Sequence, residues 1–154
     1  MRKDASTEDL TNALKKARPG DITAILKEAR GAFADENGGF EGYMRDIFQT
    51  RGVTQKDVFQ RACIPRGYGY KLLSGEKHTN QRDTIIRILA ASGATLEEAQ
   101  RALKLYGLPV LYSKIKRDAV LIAAFGEGLT DPDEIDELLK SCGHAPLAPC
   151  GAEE

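Results

Sequence analysis

The chain has no tryptophan, two histidines and three cysteines, and aromatic residues fill only 6% of its 154 positions. With so few aromatics, aliphatic side chains must supply the core, and a chain of this length is able to bury one. Three cysteines without regular spacing make no disulfide framework. No apolar run approaches the ~18 residues of a membrane span. The opening MRKDASTEDL lacks the apolar stretch of a secretory signal, so a reducing cytoplasm is the expected compartment and no membrane partner is expected. No phosphate loop, GxSxG or Ser/His/Asp or Cys/His constellation is present, and no enzyme chemistry is expected. Cys142, His144 and Cys150 offer three metal ligands without a fourth, so no metal and no cofactor is expected.

Charge of one sign is also lacking overall, but it is unevenly placed. The formal net charge is -1. Residues 1–37 carry seven basic and seven acidic side chains, and residues 88–154 six basic against eleven acidic, a net of -5. Residues 38–87 carry nine basic (Arg45, Arg51, Lys56, Arg61, Arg66, Lys71, Lys77, Arg82, Arg87) against five acidic, a net of +4. The middle is the only basic segment, which suits a phosphate-rich partner.

What is present is helical periodicity, with no strand pattern and no internal repeat. Ser6 and Asp9 make a weak capping-box start for Leu10, Ala13, Leu14 and Ala17, and Pro19-Gly20 stops that helix. Asp21 reads as the cap of a second helix with Ile22, Ile25, Leu26, Ala29 and Phe33 on one face. The loop Asp35-Glu36-Asn37-Gly38-Gly39 marks a boundary. Phe40, Tyr43, Met44, Ile47 and Phe48 then form a full apolar stripe closed by Gly52. Downstream, the pattern predicts a helix over 81–92 burying Ile85, Ile88 and Leu89. Thr95 with Glu98 caps another, which ends at Gly107-Leu108-Pro109. Ser113 reads as the start of a helix whose run 119–125 is apolar on most sides and must be covered by neighbours or by a second subunit. Asp131-Pro132 with Glu134 opens the last helix, over Ile135, Leu138 and Leu139. Residues 144–154 are rich in Pro and Ala and read as a loose tail.

The most informative stretch is 54–75, TQKDVFQRACIPRGYGYKLLSG. Thr54 caps a helix over Gln55 to Ala62, Cys63-Ile64-Pro65 breaks it, and a second helix runs from Arg66 to Ser74 and stops at Gly75. One helix braces while the other can enter a major groove. Gly67 and Gly69 weaken the second helix by roughly 1 kcal/mol each relative to Ala. Two reasons for these glycines stand side by side: a missing side chain permits close approach of a nucleic-acid backbone, or the two helices pack tightly, with Gly69 making room for Phe59 in a size exchange, the reading favoured for Gly69.

This stretch resembles the phage-repressor-like (XRE-type) helix-turn-helix family, over roughly residues 39–93. Gln55, Val58, Ile64 and Leu72 stand at that family's helix start, core, turn and late-core positions, and Leu73-Ser74-Gly75 is close to its usual exit. Three positions depart from the pattern: Phe59 in place of a small residue, Cys63 in place of a turn Gly, and Gly69 in place of a β-branched core residue. The resemblance implies a repressor-like five-helix helix-turn-helix bundle at 38–93; outside the match, periodicity gives an N-terminal helical hairpin at 1–37, a C-terminal helical extension at 94–143 and the tail, so the chain is expected to be all-α. The resemblance also implies a transcriptional regulator bound to double-stranded DNA as a homodimer, with the hairpin and the helix around 119–125 as candidate dimer surfaces. Arg66, Tyr70 and Lys71 would read base edges. Gln55, Lys56, Gly67, Lys77, Thr79 and Arg82 would meet the DNA backbone. A protein-interaction module on the same scaffold is the alternative, and a protein partner would then take the place of DNA. SGEKHT is also similar to the linker between zinc fingers, but no Cys and His pairs flank it at ligand spacing.

Overall fold

A computed structural model describes residues 7–28 and 39–150. They are helical, with no strand among the described residues: α1 (Thr7–Lys16), a 3-10 turn (Pro19–Asp21), α2 (Ile22–Glu28), α3 (Gly39–Arg51), α4 (Gln55–Ala62), α5 (Arg66–Ser74), α6 (Arg82–Ala91), α7 (Leu96–Tyr106), α8 (Lys116–Glu127) and α9 (Pro132–Ser141). The chain divides into two compact units at Gly39/Phe40, close to the loop that the sequence marks as a boundary. Residues 38–93 and 94–143, read from sequence as separate segments, belong to one unit.

In the first unit α1 packs on α2. Asp21 does not cap α2 as expected, but ends the 3-10 turn that begins at Pro19. Leu10, Ala13, Ala17 and Ile25 are half-buried, Leu14, Ile22 and Leu26 are exposed, and no described side chain of this unit is buried. Ser6, Ala29 and Phe33 lie outside the described residues.

The second unit is built around α6, whose Ile85, Ile86, Ile88 and Leu89 are fully enclosed. It packs on α4, α7 and α9. Met44, Ile47 and Phe48 of α3, Val58 and Phe59 of α4, and Leu72 of α5 join the same apolar core. The sequence signals at the helix ends hold. The Thr54 hydroxyl accepts from the Asp57 amide, the Asp131 carboxylate accepts from the Asp133 amide, and Thr95 with Glu98 forms a complete capping box. Gly107 takes the left-handed cap with φ 92°. The helix expected from Ser113 starts later, at Lys116, because a turn closed by the Ile115 amide on Tyr112 O precedes it.

The apolar run 119–125 is covered in part by its own chain, with Ala123 left exposed. Leu121, Ala124 and Phe125 are buried and Val120 and Ile122 half-buried, in a helix that packs against α7 and α9. The tail is not loose over 144–150 either. Leu147 is 2% exposed. Arg87 donates to the carbonyls of Leu147 and Ala148 at 2.9 and 3.0 Å. Asp136 accepts from the Leu147 amide and Asp83 from the Ala148 amide, while Arg117 grips Asp83 through two bonds and also donates to the carbonyls of Ala145 and Pro146. Four charged side chains from α6, α8 and α9 thus satisfy the backbone of a segment with no helical period of its own.

Cys63 occupies the C-cap of α4 at φ 59°, ψ 43°, the left-handed region, which costs a residue with a Cβ roughly 1–2 kcal/mol. Its amide closes the helix on the carbonyls of Phe59 and Gln60. Cys63→Gly is therefore expected to leave the fold intact and change stability by only a few tenths of a kcal/mol up to about +1 kcal/mol, because relief of strain is offset by the unfolded-chain entropy of Gly. Urea denaturation checks this, and a loss above about 1 kcal/mol would contradict the strained-cap account.

Candidate nucleic-acid interface

The stretch 54–75 forms two helices joined by a three-residue turn, and the outer side of the second is open. Ile64 is buried and ties the turn to the core; Tyr68, Leu72 and Leu73 do the same for α5. That fixes which way α5 faces. Arg66, Gly67, Tyr70 and Lys71 fall on the opposite side and are exposed, at the spacing of one helical face.

Gly69 faces inward against Phe59. A Cβ built at Gly69 would lie 2.6 Å from the Phe59 ring, so the large residue of α4 occupies space that only a missing side chain on α5 provides. The Phe59 ring also meets Tyr70 edge to face, 5.3 Å between centroids, which steers the Tyr70 ring along the edge of the core while leaving it 41% exposed. Gly67 differs: no atom lies within 4 Å of a Cβ built there, so nothing inside the protein requires its missing side chain.

The basic residues of the middle segment separate into two groups. Arg45 pairs with Glu41, Arg51 with Glu98, and Arg82 with Asp118, while Arg87 reaches Asp136 and the tail. Arg61 donates to the Ala91 carbonyl at 2.7 Å. Lys56, Arg66 and Lys71 make no ion pair or side-chain hydrogen bond among the described residues, and all three are exposed. Lys77 is exposed too, with its ammonium 5.8 Å from the centre of the Tyr68 ring. Within residues 38–87, the cations that no acid pairs are those on α4, on the outer face of α5 and just beyond it. Gln55 is half-buried at the first position of α4, where exposed backbone amides also favour an anion. Asp57 and Glu76 are the exposed acids of the same stretch.

Two of the residues expected to meet a nucleic-acid backbone do not belong to this surface. Thr79 is 2% exposed; its hydroxyl accepts from the Gln81 amide and its own amide donates to the Tyr106 hydroxyl. Arg82 is turned inward, where it forks onto the buried Asp118 and donates to the carbonyls of Pro109 and Val110. Their position after the second helix suggests a clamp, but their partners sit about thirty residues downstream, at the end of α7, in the loop that follows it and at the start of α8. His78 is likewise engaged, stacked on Tyr106 at 4.4 Å.

No cluster of His, Cys, Asp and Glu fit to hold a metal ion occurs among the described residues. No described helix is long and apolar enough to cross a membrane. Comparison with family models, with curated proteins and with solved structures finds no match, so the site rests on its own geometry.

Proposed function

We propose that this chain is a non-enzymatic, cytoplasmic DNA-binding protein, a transcriptional regulator of repressor-like helix-turn-helix type, in which α5 enters the major groove; residues 38–93 hold four helices, α3 to α6, rather than the five expected there, so α7 from beyond that range supplies the fifth of the bundle. The observation that carries this reading is the sorting of charge: Lys56, Arg66, Lys71 and Lys77 stay outward and unpaired by acids, Arg51, Arg82 and Arg87 are drawn into part-buried pairs, and Arg45 makes an exposed pair with Glu41 one turn away. Arg66 and Lys71 suit guanine edges, and Tyr70 a thymine methyl or a phosphate. Gln55, Lys56, Gly67 and Lys77 suit the sugar-phosphate backbone. Gly67 lets that backbone come close, since a side chain there would project into open space.

One helix touches few bases, so a homodimer on two half-sites about one DNA turn apart is expected. Of the two candidate dimer surfaces, the run 119–125 is largely packed within its own chain, whereas the N-terminal hairpin keeps Leu14, Ile22 and Leu26 exposed, which favours the hairpin. The same exposed apolar side chains favour the second reading, an adaptor that docks a protein partner.

Binding of the full chain to random duplex DNA at two salt concentrations, followed by selection of preferred sites, tests the proposal. Affinity should fall steeply with salt. Arg66→Ala is expected to blur sequence preference at one position by about 1–3 kcal/mol, whereas Lys77→Gln should weaken all sequences alike and reduce the salt slope by about 1. Unchanged selectivity in the Arg66→Ala protein would remove Arg66 as the reader.

A further inference from the structure

Residues 104–117, KLYGLPVLYSKIKR, hold four basic side chains and no acid, inside a C-terminal portion that is otherwise strongly acidic. The loop at its centre is fixed in place. The Gln100 side chain donates to Leu111 O and accepts from Leu111 N, both at 2.8 Å. Leu111 is buried, and the buried Asp118 carboxylate accepts from the Tyr112 amide at 2.9 Å. Held this way, the loop presents Val110, Tyr112 and Ile115 to solvent, Tyr112 at 53% exposure. Lys114 and Lys116 stand exposed between and beside them and make no ion pair among the described residues, whereas neighbouring Arg117 is consumed by Asp83. A loop pinned at Leu111 and Tyr112 that displays an aromatic ring followed by two unpaired cations is a presented surface rather than slack chain.

The loop is also knit to the segment that leaves α5. His78 stacks on Tyr106, the Thr79 amide donates to the Tyr106 hydroxyl at 2.8 Å, and Arg82 donates to the carbonyls of Pro109 and Val110. The loop carrying Lys77 and the loop carrying Lys114 are therefore neighbours, and their cations add to one another.

We propose that this loop is a second grip on duplex DNA, in which Lys114 and Lys116 take phosphates beyond the stretch covered by α5 and Tyr112 donates its phenol to the same backbone. It rests on the reading that α5 binds DNA. The absence of any acid within the segment and the two unpaired ammonium groups favour a polyanion over an acidic protein segment, which the test also addresses.

The test uses the full chain and the K114Q/K116Q variant, whose substituted side chains are exposed and whose thermal melting should match wild type. Binding is measured as a function of salt on a duplex of about 10 base pairs, one helical turn, and on one of about 25. Each phosphate contact contributes about 0.9 to the salt slope, so the variant should lose about 2 per bound protomer on the long duplex, about 4 for a dimer, and nothing on the short one. An unchanged slope on the long duplex overturns the second grip while leaving α5 as a DNA reader. An equal loss on both lengths overturns its placement beyond the α5 footprint. Wild type that binds neither duplex overturns the DNA reading and this inference together. Displacement of the long duplex by polyglutamate as readily as by unlabelled duplex of equal charge would reassign the loop to an acidic protein partner.

Discussion

Gly69→Ala should destabilise the protein by about 1–3 kcal/mol, the cost of overpacking a filled core, even though alanine is by about 1 kcal/mol the better helix former. The new methyl group would lie 2.6 Å from the Phe59 ring, and that ring is fully enclosed, so relief requires α4 and α5 to part. Phe59→Ala should cost more, about 3–5 kcal/mol, because it opens a cavity between the same helices. The two changes together should cost clearly less than their sum, since the methyl group of Ala at position 69 enters space that Phe59 vacates. A cycle of the four proteins by urea denaturation measures the coupling. Additivity within about 0.5 kcal/mol would contradict the size exchange.

The second large effect is at Asp118. Its carboxylate is 1% exposed and receives the Arg82 guanidinium and the Tyr112 amide together. Removing one partner of a buried pair costs about 3–5 kcal/mol because the other charge is stranded. The Arg82 side chain retains 22% of its exposure and can turn partly to water, so Asp118→Ala is expected at the lower end, about 3 kcal/mol. The loss should appear as a single cooperative transition of the second unit, because the pair joins the start of α6 to the start of α8. A change below about 1 kcal/mol would show that the pair is worth no more than a surface ion pair.

Those two sites differ in how far they could be read beforehand. The Phe59/Gly69 exchange was legible because both residues lie in one short motif with a known division of sizes. The stripe over Phe40 to Phe48, the Thr95/Glu98 box and the Asp131-Pro132 start were legible for the same reason: each signal is local and its partner is within a turn or two. Thr79 and Arg82 were not, because which way a side chain turns after α5 is decided by Tyr106 and Asp118, far along the chain. The order of segment 144–150 is hidden from the sequence for a related reason. A Pro- and Ala-rich run has no period, and its order comes from Arg87, Asp83, Arg117 and Asp136, which satisfy its backbone from outside. The run 119–125 was recognised as needing cover, but apolarity alone does not say whether a neighbour or a second subunit supplies it.

The central claim is that the outer face of α5 is where a polyanion meets this protein. Backbone amide chemical shifts of the full chain, recorded while duplex DNA is added, test it most directly. The account predicts that the largest changes fall on residues 66–71 and at Gln55, Lys56 and Lys77, with α9 unmoved. Changes concentrated on α1 and α2 or on α9, or no saturable change at low salt, would contradict it.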